Sequence, residues 1–176
     1  LLHKGSRFTN LDNAVNVAGD ISGIWQDTSE IPNVNFTAAV NLIGDTTLQA
    51  DSDGNGSGTI IMNGYALTGN NYGLTLYTGE ATTLDGDISG VGLLTLNSST
   101  TTDRTYTSTG TTFSVGTVKT NYHSLFSRSS GAGTVDDPYM IYSVSNAVGG
   151  LQNIPTRSLS AYYKMANNID AAETAS

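Results

Sequence analysis

The chain has 176 residues, with 15 acidic against 7 basic side chains and a net charge of −8. Charged residues are only 12% of it, about half the usual share of roughly 25%, and the acidic balance argues against nucleic-acid binding, which needs a basic stripe, and against docking on anionic membranes. Polarity comes from neutral residues instead: Thr, Ser, Asn and Gly make up close to half of the sequence, a composition of β-branched strands joined by turns that favour positive φ.

Residues 1–13, with Lys4 and Arg7, form a polar lead-in. From Ala14 short apolar clusters follow one another: Val15 to Val17, Ile21 to Trp25, Val34 to Phe36, Val40 to Ile43, Thr59 to Met62, Leu74 to Tyr77, Leu93 to Leu96 and Phe113 to Val118. Each has a strand's length, and Gly, Asn, Asp or Ser bound most of them. Leu74, Leu76, Leu94 and Leu96 fall on one face of their strands, with Thr75 and Thr95 on the other. No sustained helical spacing appears before residue 144, so helix is not expected over the first four fifths.

Two self-similarities organise this region. Gly19-Asp20-Ile21-Ser22-Gly23 recurs as Gly86-Asp87-Ile88-Ser89-Gly90, and Gly73-Leu74-Thr75-Leu76-Tyr77 is echoed by Leu93-Leu94-Thr95-Leu96-Asn97. The second spacing is that of one rung in many solenoids, about 20 residues. A rung buries little alone, whereas stacked rungs bury a continuous apolar column. The expected fold is therefore all-β, a right-handed parallel β-helix (β-solenoid) over residues 14–130. A β-sandwich is the alternative, since Asn63-Gly64, Asn55-Gly56 and Asp85-Gly86 suit tight hairpins. The Thr-rich run from Thr100 to Thr112 fits a linker or exposed strands; β propensity favours strands anchored by Tyr106 and Phe113.

Few residues form a chemical pattern. Asp51, Asp53 and Asn55, in Asp51-Ser52-Asp53-Gly54-Asn55-Gly56, match the first half of a calcium loop, with alternating oxygen ligands around a sharp Gly turn. Met62 stands where the loop's bidentate carboxylate belongs, which favours a plain turn; calcium is the one cofactor this pattern could take. Asp85 and Asp87 share a face if extended, as acid–base or metal-binding carboxylates do, but Gly86 between them favours a rung corner. His3 and His123 are the only histidines, and nothing selects a nucleophile to accompany either. Trp25, Tyr65, Tyr72, Tyr77, Tyr122, Tyr139, Tyr142, Tyr162 and Tyr163 could stack on sugars if exposed, or anchor a thin core. No catalytic site is expected.

Residues 131–176 change character. Gly131-Ala132-Gly133-Thr134-Val135-Asp136-Asp137-Pro138-Tyr139-Met140-Ile141 is followed by Leu151-Gln152 and then by Tyr162-Tyr163-Lys164-Met165-Ala166-Asn167-Asn168-Ile169-Asp170. Pro138 fixes a turn, Tyr139 to Tyr142 reads as a strand, Ser145 to Asn153 as a short helix or turn with Leu151 inward, and Tyr162 to Ile169 as a second strand. Three blocks in this order resemble a module of filamentous-haemagglutinin-like bacterial surface adhesins, written roughly GxGTxxDPYxI, LQ, YYxLxNxID. The resemblance implies a module that leads into further β-helical rungs. The Asn-Pro-Asn motifs of the two-partner export domain are absent, and the chain before Gly131 shares only texture with that family.

Absence of Cys and scarcity of charge fit a bacterial exported protein. The sequence starts without Met and no segment resembles a signal peptide or a membrane span, so it reads as a piece of a longer chain. Together these features imply an extracellular, cell-surface fibrous adhesin that meets glycans or proteins of host or neighbouring cells. Alternatives are a self-assembling filament or coat subunit, joining like chains end to end, and a polysaccharide-active β-helix enzyme. The scattering of the few basic residues speaks against the last.

Overall fold

A computed structural model describes residues 15–22, 33–50, 56–121, 123–144, 148–156 and 159–170. Its strands are β1 (Val15–Ser22), β2 (Val34–Asn35), β3 (Val40–Gln49), β4 (Ile60–Ile61), β5 (Leu67–Thr68), β6 (Leu74–Thr78) and β7 (Thr82–Leu84). They continue as β8 (Ile88–Ser98), β9 (Arg104–Ser108), β10 (Phe113–Thr120), β11 (Ser124–Ser127), β12 (Tyr139–Ile141), β13 (Tyr163–Met165) and β14 (Asn168–Asp170). Among the described residues the sole helical element is a 3₁₀ segment, Leu151–Thr156.

Every strand pairing among the described residues is parallel. The main wall runs β1-β3-β5-β8-β10-β14, with β6 between β3 and β8 further along the same rungs. A second sheet is β7-β9-β11, and β2 pairs β4. The Thr59 and Thr82 hydroxyls, 2.6 Å apart, join the β2–β4 pair to the second sheet. The fold is thus a parallel β-solenoid of about five turns. A sandwich built on antiparallel hairpins does not form: the paired segments lie a full turn apart in sequence, which only parallel coiling allows.

Alternation sets the core. Leu48 stacks on Leu76 and Leu76 on Leu96; all three are buried, while Thr47, Thr75 and Thr95 between the inward positions face out. A second buried column runs Thr46, Leu74, Leu94, Val118, and a third Val40, Leu67, Ile88 with half-buried Phe113 above. Each layer shields the next from water, which is why a chain of such short strands closes a core.

The two self-similarities fare differently. Leu74 pairs with Leu94 and Leu76 with Leu96, the register of the Leu-Thr-Leu echo. The Gly-Asp-Ile-Ser-Gly copies do not stack: Ile21 pairs with Leu48, whereas Ile88 pairs with Leu67, in the column of Val40 and Val15. Turn length also varies. Thr46 pairs with Leu74, Leu74 with Leu94 and Leu94 with Val118, so the first of these turns is the longest and the second the shortest. The long turn holds the bend that separates β5 from β6, where Asn70 and Asn71 take positive φ (49° and 68°) and the Asn70 amide donates to Leu42 O at 2.9 Å. Asn tolerates that backbone, and the Asn70 amide bonds the preceding turn of the stack.

The Thr-rich run holds β9, and Tyr106 is its fully buried anchor. Within the C-terminal third, the Asp137 carbonyl accepts N–H bonds from Ala132, Gly133 and Thr134 (3.0, 2.9 and 3.2 Å), and Thr134 Oγ1 accepts from Asp137 N at 3.0 Å. Gly131 lies at φ 81°, and a Cβ there would collide with Pro138 O. So the Gly-x-Gly-Thr and Asp-Pro blocks close one compact loop that only glycine permits at that position. The expected strand from Tyr162 to Ile169 is broken: β13 lies on β12, Asn167 turns the corner by donating to Tyr142 O at 3.0 Å, and β14 rejoins the main wall on β10. Leu151 does not pack inward. It opens the 3₁₀ segment and is 46% exposed, since that segment turns away from the stacked column.

Candidate functional site: the outward threonine ladder

One column on the outer surface of β3, β6 and β8 is threonine on all three strands. Thr47, Thr75 and Thr95 are in register, and the column continues through Lys119 to Asp170. Their spacing is that of neighbouring strands, about 4.8 Å. Lys119 Nζ and an Asp170 carboxylate oxygen lie 3.6 Å apart, both about one third exposed. Thr suits this place because its branched Cβ packs on the pleat while its hydroxyl stays wet.

Beside the ladder runs a second outward column: Asp45, Gly73, Leu93, Thr117. Gly73 leaves a gap in it. Its N–H donates to Asp45 Oδ1 at 2.8 Å, and its carbonyl accepts from Thr46 N at 2.9 Å. Leu93 is 42% exposed. The result is a groove of about 270 Å³ lined by Asp45, Thr47, Gly73, Thr75, Leu93 and Thr95. A carboxylate, three hydroxyls and one apolar wall meet there.

The residues singled out in sequence are dispersed. Asp51, Asp53, Asn55, His3, Trp25 and Tyr122 lie outside the described residues. Asp87 is a corner residue: its Oδ1 accepts Thr112 N–H at 2.8 Å, holding one turn on the next, and Asp85 is exposed. His123 faces Asp103 across 3.0 Å on the surface. Tyr142 is buried, Tyr139 packs on Tyr163 at 5.7 Å between ring centroids, and Tyr65, Tyr72 and Tyr162 are exposed. Among the described residues no group of three or more His, Asp or Glu converges.

A buried tyrosine is the one strongly shifted titrating group among the described residues. Burial pushes the Tyr106 phenol well above its ordinary value, against the opposing bonds to Thr78 and Asn97. It serves the core rather than chemistry at a surface.

Asp45 and Gly73 were not singled out in sequence. An isolated Asp before two Thr forms no motif, and its partner glycine lies a full turn downstream. No protein-family model, no curated protein and no solved structure matches the chain. The fold is a β-solenoid of about five turns with a hydroxyl ladder on its main wall.

Proposed function

We propose that the chain is part of a secreted bacterial cell-surface rod, of the kind its C-terminal blocks resemble in filamentous-haemagglutinin-like adhesins. It acts by presenting an extended β-surface to glycans or proteins of host or neighbouring cells, with no catalysis of its own. One observation carries the reading: Thr47, Thr75 and Thr95 stand in register on a regular outer wall. Repeated weak contacts along such a wall add up through multivalency, without a deep pocket. Charged residues are only 12% of the chain, which leaves neutral hydroxyls and amides as the main recognition chemistry.

The test is adhesion. Beads coated with the chain are expected to adhere to cells, and beads coated with a Thr47→Val/Thr75→Val/Thr95→Val chain are expected to adhere several-fold less. Equal adhesion of the two, or release of sugar from uronate polymers by the chain, contradicts the reading.

A second reading, assembly of like chains, is favoured by the exposed apolar side chains of the C-terminal third: Val148, Leu151, Leu159, Tyr162 and Met165. Single apolar residues on a surface are ordinary, and this second reading takes these as the contact between like chains. Electron microscopy distinguishes the two: continuous fibres favour assembly, and separate short rods favour adhesion.

A further inference from the structure

We infer that the groove at Gly73 is a binding site for an uncharged saccharide. The inference rests on the rod-surface reading above and names the ligand class of its main wall.

The chemistry of the groove selects the ligand. Asp45 uses Oδ1 to hold the Gly73 N–H at 2.8 Å, and no Lys, Arg or His among the described residues pairs with its carboxylate. That carboxylate is a strong acceptor for hydroxyl donors. Thr47, Thr75 and Thr95 line the same space, each able to donate and to accept. Leu93, 42% exposed, supplies an apolar wall of the kind on which the C–H face of a sugar ring rests. A polyol with alternating hydroxyl and C–H surfaces satisfies all three.

Anionic sugars do not fit. A carboxylate in the groove and a net charge of −8 repel uronates and sulfate esters. A peptide strand does not fit either. Peptides add to sheets through a free backbone edge, and β6 is paired on both sides, to β3 and to β8. Recognition here runs through side chains alone.

Glycine at position 73 makes the space. Its φ is not in the left-handed region, so no backbone strain demands glycine there. A Cβ would stand 3.3 Å from Asp45 Oδ1 and 3.8 Å from Leu93 O. A side chain at this position can therefore be borne by the fold after a small shift of Asp45, and it would fill the groove.

The experiment measures binding of the full chain to neutral probes (cellohexaose, mannan oligosaccharides) and acidic probes (polygalacturonate, heparin) by biolayer interferometry. The expected result is binding of a neutral probe in preference to the acidic ones, at least a tenfold loss in Gly73→Val, and a several-fold loss in Asp45→Asn. Circular dichroism checks each fold. Should Gly73→Val fail to fold, Gly73→Ala and Thr75→Val, both mild surface changes, carry the test with a several-fold loss expected. Wild-type affinity for the neutral probe in the folded groove variants overturns the groove while leaving the rod-surface reading intact. Preference for polygalacturonate or heparin overturns the neutral class. Cell adhesion that survives periodate oxidation of surface glycans, with no probe bound, overturns the saccharide site in favour of a protein ligand.

Discussion

The Tyr106 hydroxyl lies 2.6 Å from the carbonyl oxygen of Asn97, joining the second sheet to the end of β8 across the interior. Leu76 O stands 3.2 Å from the same hydroxyl, and Thr78 Oγ1 donates to it at 3.0 Å. One phenol thus ties neighbouring turns together inside the core. Tyr106→Phe keeps the ring and removes the donor, leaving buried carbonyl and hydroxyl groups short of a partner. The expected cost is about 1–3 kcal/mol, read as a lower urea midpoint with an unchanged slope.

The same burial makes stability depend on high pH. The folded phenol holds its proton above the ordinary range, so on alkalinisation the unfolded chain deprotonates first and binds fewer protons than the folded one. Stability from this group is therefore full below the ordinary tyrosine value of about 10 and falls as pH rises past it. Urea unfolding at a series of pH values is expected to show that decline in the wild type and a shallower one in Tyr106→Phe. Parallel curves count against the assignment.

Arg128 fastens the C-terminal third to the stack. Its Nη1 donates to Ser108 Oγ and Gly110 O, both at 2.8 Å, and its Nη2 to Thr111 O at 3.0 Å. The guanidinium carbon lies 5.3 Å from the Phe113 ring centre and 5.7 Å from that of Tyr142. A lysine keeps the charge but not the planar fork. Arg128→Lys is expected to cost about 2 kcal/mol through lost hydrogen bonds and ring contact. Limited proteolysis is expected to cut first within residues 131–170 of the variant.

Corners are set by glycine where turns touch. A Cβ at Gly110 would collide with the Gly86 carbonyl oxygen, whereas one at Gly64 would meet nothing within 4 Å. Gly110→Ala must push two turns apart and is expected to cost more than about 2 kcal/mol, in the manner of overpacking. Gly64→Ala strains only its own backbone, at φ 73°, and is expected to cost about 1–2 kcal/mol. Thermal melts of the two variants give the order; a larger loss for Gly64→Ala contradicts the corner contact.

Alternation made much of this wall legible. Leu74, Leu76, Leu94 and Leu96 disclosed both their inward face and their register, because identical side chains at one-turn spacing pack best on each other. The Gly-Asp-Ile-Ser-Gly identity does not mark a shared column, since Ile21 pairs with Leu48 and Ile88 with Leu67. In the second copy Gly86 leaves no room for a Cβ beside Tyr65 O, and Gly90 turns at φ 66°. Neither task concerns which column Ile88 joins. The groove was not legible at all. Asp45 and Gly73 meet through the register that pairs Thr46 with Leu74, across a turn longer than the two that follow. That length depends on the extra bend at Asn70 and Asn71, which no periodicity announces.

The chain has no cysteine, so engineered disulfides give the most direct test of its stacked register. Thr75 and Thr95 are paired neighbours on the outer face, and adjacent strands stand about 4.8 Å apart, within disulfide reach. Air oxidation of a Thr75→Cys/Thr95→Cys chain is expected to form an intramolecular disulfide quickly, while Thr75→Cys/Leu96→Cys, with one thiol outside and one inside, stays reduced. Failure of the first pair to close, or equal closure of both, contradicts the parallel stacking of the turns.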